Sequence, residues 1–193
     1  CHATFPGTDV AVDATGVSFP VKATVEVGEA GKSCDGSDTK TGVTGTITFT
    51  QMDAENCTID YEVKGLAPGD HGFHVHEKAD FSNGCASAGP HYNPFGKWHG
   101  GPDDEERHVG DLGNITADAD GVAKSTITDK CIKIFGEYTV VGRSIMIHAD
   151  PDDLGRGDPA GWPEVAPPPA PAQHTKTTGN AGARIACGVI VAA

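Results

Sequence analysis

Three histidines and one aspartate crowd a short segment rich in glycine and proline, and their types suit metal chemistry. His91, His99, His108 and Asp111 fall within 21 residues of the chain. Three neutral imidazoles and one carboxylate form a tetrahedral N₃O donor set, which suits Zn²⁺. Scattered loop histidines are common one at a time. Four metal-capable side chains among turn-forming residues instead favour a metal site.

Three further histidines lie on segments with the alternating pattern of β-strands. His74 and His76 stand two residues apart, and side chains at i and i+2 of a strand share one face. Phe73 and Val75 then face the core, which directs both imidazoles outward. His148 ends another strand-like segment and points the same way. An outward His-x-His pair is a weak metal signal on its own, and solvated surface histidines are the alternative.

The elements that must position these side chains are short strands and two long loops. The 26 glycines and 13 prolines favour a loop-rich chain, and no stretch has a convincing helical period. Alternation of apolar and polar residues predicts strands over Val21–Val27, Val43–Gln51, Cys57–Lys64, Gly72–Glu77, Asp111–Thr116, Val122–Asp129, Ile132–Ile134, Ser144–His148 and Ala183–Val191. This pattern predicts an all-β fold, an eight-stranded antiparallel Greek-key β-barrel or sandwich with two long functional loops, Lys78–His108 and Asp150–Asn180. We expect an N-terminal arm at residues 1–20 and one domain over residues 21–193.

The charge and hydropathy of the chain exclude several classes of partner. The net charge of −13 argues against nucleic-acid binding, because neutralising phosphates needs clustered Lys and Arg. It also argues against docking on anionic lipid, and no apolar run reaches the ~20 residues of a membrane helix. The chain begins at Cys1 rather than Met, which we interpret as a processed or trimmed form.

The six cysteines are widely separated, and none belongs to a CxxC pair. Zinc fingers and thioredoxin-like motifs are therefore disfavoured. The even count suits up to three disulfides and an oxidising, extracellular compartment rather than the cytoplasm. Buried free thiols are the alternative interpretation.

Five ordered motifs closely resemble the copper/zinc superoxide dismutases, and the resemblance runs from about Val21 to the C-terminus. The motifs are GFHVHE (72–77), GPHYNP (89–94), HGGPDDEERHVGDLGN (99–114), GRSIMIHADPDDLG (142–155) and GNAGARIACGVI (179–190). The resemblance implies a secreted enzyme that dismutates superoxide to dioxygen and hydrogen peroxide. It implies a copper redox cycle beside a histidine-bridged zinc that orders the structure.

The same resemblance assigns a role to each of the site residues. The implied copper ligands are His74, His76, His91 and His148. The implied zinc ligands are His91, His99, His108 and Asp111. His91 thus bridges the metals, and it takes up and returns a proton during the cycle.

Residues around the implied ligands also match the family pattern. Asp152 matches the carboxylate that holds His74 and His99, and such carboxylates fix the direction of an imidazole. Arg184 matches the arginine beside the open copper position, where it would attract superoxide. The remaining histidines are His2, His71 and His174, and the resemblance makes His71 structural.

The resemblance also pairs cysteines. Cys85 and Cys187 match the family's intrachain disulfide. A Cys57–Cys131 bridge is plausible, because their strands are neighbours in the family barrel. A Cys1–Cys34 bridge follows only by elimination.

Three features depart from the family pattern. Asp150 stands where the family has a lysine that guides superoxide, so we expect weaker long-range steering of the anion. Lys176 is expected to replace the second guiding lysine of the family. The Pro-rich segment Trp162–Ala172 lengthens the second loop; a polyproline ligand is the alternative to a stiffened surface loop. Lys78 replaces an aromatic residue of the family's dimer interface, which leaves a homodimer in doubt.

Two other functions would require features that the sequence lacks or would leave some of its features unexplained. A copper-delivery relative would carry an N-terminal CxxC domain, which residues 1–20 lack. A structural β-sandwich with incidental zinc would not explain the copper set or Arg184. The sequons at Asn56 and Asn114 are potential glycosylation sites only in a secretory host.

Overall fold

A computed structural model describes residues 16–28, 41–157 and 173–193 of the protein, and this part of the chain is nearly all strand and loop. The strands are β1 (Val21–Val27), β2 (Thr44–Gln51), β3 (Cys57–Lys64), β4 (Gly69–His76), β5 (Ser82–Cys85), β6 (Asp111–Ala117), β7 (Val122–Asp129), β8 (Ser144–His148), β9 (Arg184–Val189) and β10 (Val191–Ala192). A 3₁₀ turn covers Ala86–Ala88, and one short helix, α1, covers Gln173–Thr178. Among these residues, no helix has the length and apolar character that crossing a membrane requires.

The strands form two antiparallel sheets that enclose one apolar core. The five-stranded sheet has the order β10-β1-β2-β3-β7, and the four-stranded sheet has the order β6-β4-β8-β9. In β3, alternate residues from Cys57 to Val63 are buried, as the period of a half-buried strand requires. Tyr61 packs against Phe73 of the opposite sheet, with ring centroids 5.8 Å apart. The predicted all-β, antiparallel fold is confirmed.

The two sheets meet along one edge. A backbone bridge joins Gly28, just after β1, to Cys187 in β9, with hydrogen bonds of 3.0 and 2.9 Å. The neighbouring strand β10 completes the five-stranded sheet by pairing with β1. The predicted last strand, Ala183–Val191, is therefore two strands, and each belongs to a different sheet.

The prediction of a strand at Ile132–Ile134 is wrong. The carboxylate of Asp129 accepts the backbone N–H groups of Cys131 and Ile132, both at 2.7 Å, which turns the chain out of β7. The side-chain carbonyl of Gln51 accepts the N–H of Ile134 at 3.3 Å. Ile132 and Ile134 are buried, so they fill the end of the core without joining a ladder.

The structure does not contain the predicted Cys57–Cys131 disulfide, because both residues carry free thiols. Cys57 is buried in the core and stands opposite Asp129 in the β3–β7 register. Cys131 lies beyond the turn that Asp129 makes, and it is exposed. The predicted Cys1–Cys34 bridge and the Trp162–Ala172 segment lie outside the described residues.

Candidate metal centre

The four-stranded sheet places the candidate ligands on its outer face. β4 carries His74 and His76, and its neighbour β8 ends at His148, as the register shows. His91 is held to β4 by a backbone bridge with His76. The sequence predicted outward imidazoles with a solvated alternative. They do leave the apolar core, but every residue from His71 to His76 is buried, so the solvated interpretation is excluded.

Four buried imidazoles form the first cluster, which consists of His74, His76, His91 and His148. Each ring offers one nitrogen to a shared space, and these four atoms lie within 4.8 Å of one another. They are Nδ1 of His74 and Nε2 of the other three, and none has a hydrogen-bond partner. Buried polar atoms are rarely left without partners, so this convergence fits a ligand-binding space for a metal ion.

The opposite nitrogen of three of these rings donates a hydrogen bond that fixes the lone pair on the free one. The acceptors are the carboxylate of Asp152 for His74, at 2.8 Å, and backbone carbonyls for the other two. Nδ1 of His76 donates to Gly89 at 2.8 Å, and Nδ1 of His148 donates to Gly182 at 3.1 Å. Such bonds select the tautomer that a metal ligand needs.

The second cluster gathers around one oxygen of Asp111, at the start of β6. Nδ1 of His91 lies 2.8 Å from Oδ1 of Asp111, and the Nδ1 atoms of His99 and His108 lie 3.0 Å from it. The approach of Nδ1 of His99 to Asp111 lacks the geometry of a hydrogen bond, so this nitrogen has no hydrogen-bond partner. Oδ2 of Asp111 accepts backbone N–H groups of Gly100 and His108, which anchors the loop to the strand. An N₃O set of this kind suits zinc.

Asp152 connects the two clusters through hydrogen bonds to one histidine of each. Its Oδ2 accepts Nε2–H of His74 and its Oδ1 accepts Nε2–H of His99, both at 2.8 Å. Both oxygens are thus occupied by ligand histidines, which makes Asp152 an orienting group rather than a third metal site. Gly179 has a φ of +65°, and a β-carbon there would overlap Oδ1 of Asp152. Only glycine fits this contact.

The electrostatics of the clusters favour neutral imidazoles in the first and a charge pair in the second. Burial holds the pKa values of His74 and His76 well below the ordinary value, and the neighbouring His91 adds to the shift. Burial and His91 lower the pKa of His148 to about 3. Burial also opposes charge on His99, but the nearby carboxylates of Asp111 and Asp152 outweigh burial and raise the pKa of His99 to about 9.

Residues 43–190 match the family model for copper/zinc superoxide dismutase (SODC), which covers most of the chain. The chain belongs to the copper/zinc superoxide dismutase family. It is an oxidoreductase that dismutates superoxide, and its cofactors are copper and zinc. The donor sets fit these ions, because imidazoles with no thiolate suit Cu(II) and an N₃O set suits zinc.

In this dismutase, Arg184 reaches the first cluster from β9, where it stands opposite His148 in the sheet register. Its guanidinium donates to the carbonyls of Cys85, Ala86 and Gly89, at 2.8, 3.2 and 2.7 Å. Burial lowers its pKa, but a guanidinium remains charged at neutral pH. The Cys85–Cys187 disulfide ties the segment that holds Arg184 back to β9.

The positions of the remaining predicted residues are also defined. Asp150 is exposed, and its carboxylate lies against Gly182, beside the first cluster. Lys176 lies on α1 and lines a cavity of about 560 Å³ that also borders His91 and His108. His71 is buried, with its ring nitrogens 2.8 Å from the carbonyls of His148 and Ala67. His2 and the side chain of His174 lie outside the described part of the chain.

One residue of the site region was recognised from the sequence only as a sequon. The side chain of Asn114 forms two hydrogen bonds with the backbone of Asp152, across 38 positions of sequence. The sequence signal for this role is weak, because a lone asparagine in a strand identifies no partner.

Proposed function

We propose that His74, His76, His91 and His148 hold copper and that His91, His99, His108 and Asp111 hold zinc. The observation that carries this assignment is a pair of buried donor groups that share His91, of which the first consists of four unpaired nitrogens and the second surrounds Asp111. His91 has one nitrogen directed to each group, since Nδ1 faces Asp111 and Nε2 is free. It is therefore the one ring placed to bridge the two ions.

In the reaction, two superoxide anions and two protons give dioxygen and hydrogen peroxide. The residues around the proposed copper site have separate roles in it. Copper, when bound, supplies the one-electron redox chemistry, whereas zinc has none. Arg184 attracts the anion and offers it a planar, charged hydrogen-bond donor. His91 binds a proton at Nε2 and returns it to the reduced substrate. Asp152 keeps His74 and His99 aligned while this proton moves.

A copper-delivery role and a structural role with incidental zinc are the alternatives. A carrier has no use for a fixed cation beside the metal, yet three backbone carbonyls hold Arg184 in place. A structural zinc site would not explain why the four imidazoles of the first cluster converge with unpaired nitrogens. Both features favour the enzyme.

The experiment compares two single variants with the wild type by metal analysis and a superoxide dismutation assay. His148→Ala removes a ligand of the first cluster only, so it should lose copper and activity and retain zinc. His108→Ala removes a ligand of the second cluster only, so it should lose zinc first. Full activity and full copper content in His148→Ala would contradict the copper assignment.

We also propose that the enzyme is secreted and that its core domain is residues 21–193, with residues 1–20 as an arm. The Cys85–Cys187 disulfide supports an oxidising compartment. Fractionation of producing cells should find the enzyme in the medium. Phe19 is buried against Phe135, so the truncation that tests the arm should stop before it: the chain lacking residues 1–15 should keep its metals and its activity.

For the quaternary structure, we propose that Lys78 weakens the dimer contact of the family. Its side chain is exposed, and its carbonyl accepts the hydroxyl of Ser144, which stands opposite the half-buried Val189 in the β8–β9 register. An unpaired lysine buried in an apolar interface costs several kcal/mol. Sedimentation analysis should find a weaker dimer for the wild type than for Lys78→Phe, and equal association would contradict the role of Lys78.

A further inference from the structure

We propose that Asn114 is a positioning residue for both metal sites, because it fixes the backbone of Asp152, which in turn orients one ligand of each. The proposal rests on the proposed function for the identity of the two sites. It assigns a positioning role at the metal sites to Asn114, which the sequence identifies only as a potential glycosylation site.

The contact between Asn114 and Asp152 fixes the backbone of Asp152 on both sides of its Cα. Nδ2 of Asn114 donates to the carbonyl of Asp152 at 2.9 Å, and Oδ1 of Asn114 accepts the N–H of Asp152 at 2.7 Å. Two antiparallel hydrogen bonds leave the backbone of Asp152 little freedom to shift or rotate. The side-chain amide thus acts as a strand partner for a single loop residue.

Asn114 itself stands on a rigid base. It lies in β6, three residues after the zinc-site residue Asp111, and its Cα pairs with that of Gly72 in β4. β4 also carries His74, one of the two rings that Asp152 holds. The clamp therefore ties the loop carboxylate to the same sheet that carries the ligands.

The loop at Asp152 needs such support, because its next turn is conformationally unfavourable. Leu154 has a φ of +58°, a left-handed conformation that a residue with a branched side chain rarely adopts. Oδ1 of Asp152 accepts the N–H of Leu154 at 2.8 Å while it also holds His99. A shift of the Asp152 backbone would therefore disturb the turn, His74 and His99 together.

The clamp also conflicts with glycosylation of the Asn114-Ile115-Thr116 sequon. A glycan would be attached to Nδ2, the atom that donates to the carbonyl of Asp152. Glycosylation leaves one hydrogen on this nitrogen, but a sugar on the half-buried amide would compete for space with the backbone of Asp152. We therefore expect Asn114 to be unmodified in metal-loaded protein.

The test uses Asn114→Ala and Asn114→Asp, with Thr116→Val as the matched control. Asn114→Asp keeps an acceptor for the N–H of Asp152 but loses the donor to its carbonyl. Thr116 is exposed on the same strand, so Thr116→Val removes the sequon and leaves the amide intact. Co(II) placed in the zinc site gives a visible spectrum, and Cu(II) gives an electron paramagnetic resonance spectrum, so each site has its own readout.

We expect both Asn114 variants to alter both spectra and to bind zinc about tenfold more weakly in chelator competition. Thr116→Val should match the wild type in all three measurements. A merely structural role would lower the unfolding temperature of the Asn114 variants and leave both spectra of the folded, loaded enzyme unchanged. That result would overturn the proposal, as would a glycan on Asn114 in fully metal-loaded enzyme.

The outcome is separable from a failure of the proposed function. In His108→Ala the Co(II) spectrum should disappear, and in His148→Ala the Cu(II) spectrum should change. If neither happens, the site assignments are wrong whatever Asn114 does. If both happen and the Asn114 variants keep wild-type spectra, only the clamp proposal fails.

Discussion

His76 and Arg184 donate hydrogen bonds to the same carbonyl oxygen, that of Gly89, at 2.8 and 2.7 Å. The oxygen therefore fixes the distance between a proposed copper ligand and the guanidinium of Arg184. Arg184 also donates to the carbonyl of Cys85, whose disulfide partner Cys187 lies three residues after Arg184 in the chain. The disulfide, the loop and the arginine thus form one closed connection, which holds the guanidinium of Arg184 in place.

The first prediction concerns this cation. Arg184→Gln should lower kcat/KM about tenfold or more, because the site loses its local attraction for an anion. Copper content should stay at the wild-type level, since His76 keeps its own bond to Gly89. Pulse radiolysis gives the rate, and metal analysis gives the occupancy.

The control for Arg184→Gln is Lys124→Gln, which makes the same change in net charge. Lys124 is exposed on β7, in the opposite sheet, where it pairs with Glu62. Its substitution should change kcat/KM by less than twofold at physiological ionic strength, because charges beyond ~8 Å are largely screened. Equal losses in the two variants would assign the effect to net charge rather than to Arg184.

The second prediction concerns the exposed carboxylate of Asp150, which opposes the attraction of superoxide. The chain carries a net charge of −13, and Asp150 lies against Gly182, whose carbonyl accepts from His148. Asp150→Lys should raise kcat/KM and should make the rate fall more steeply with ionic strength. The measurement is the rate as a function of salt concentration for the wild type and the variant.

Asp120→Lys is the matched control for Asp150→Lys. Asp120 is exposed in the turn between β6 and β7, outside the metal centre, and its substitution adds the same charge. Its salt dependence should resemble that of the wild type. A wild-type rate that already falls as steeply as that of Asp150→Lys would contradict weak steering.

The sequence predicts the bounds of four strands correctly. Val21–Val27, Cys57–Lys64, Val122–Asp129 and Ser144–His148 have the predicted bounds. In the first two, the alternation of apolar and polar residues corresponds to one face toward the core and one toward water. The prediction fails at Ile132–Ile134, where burial is real but side chains of Asp129 and Gln51 satisfy the backbone in place of a neighbouring strand.

The parts of the site that could not be predicted depend on contacts distant in sequence. The helix α1 is six residues long, too short for an apolar period to be visible. The depth of burial of His74 and His76 depends on loops that cover the sheet, and no local pattern encodes that cover. Asn114 finds Asp152 only because the fold brings β6 against the second long loop. Donor types and strand faces are local properties, whereas these contacts are not.

The third prediction concerns proton release when zinc binds to metal-free enzyme. The carboxylates of Asp111 and Asp152 outweigh burial and raise the pKa of His99 to about 9, so we expect this ring to be protonated at pH 7 in the metal-free enzyme. The charged ring stabilises the metal-free fold fully below pH ~6.5, and that stabilisation is lost as the pH rises through about 9. Zinc needs the neutral ring, so binding at pH 7 should release about one proton from His99.

Calorimetry in buffers of different ionisation enthalpy measures this release. The proton count per zinc should fall as the pH is raised from 7 to 10, and zinc affinity should rise over the same range. Asp152→Asn removes one of the two carboxylates that hold the proton, so it should release fewer protons at pH 7. A count that does not change with pH would contradict the charged state of His99.

The fourth prediction separates the two free cysteines by reactivity. Burial, with the nearby charge of Asp129, raises the pKa of Cys57 to about 12, so only ~10⁻⁴ of it is thiolate at pH 8. Cys131 is exposed. Iodoacetamide added to the native, unreduced enzyme should therefore label Cys131 and spare Cys57, whereas the unfolded chain should be labelled at both, as read by peptide mapping. Cys131→Ser should abolish this native labelling while Cys57 stays unmodified. A Cys57–Cys131 disulfide peptide in the unreduced digest would contradict the prediction, because it would mean that the turn at Asp129 brings the two sulfurs within bonding distance.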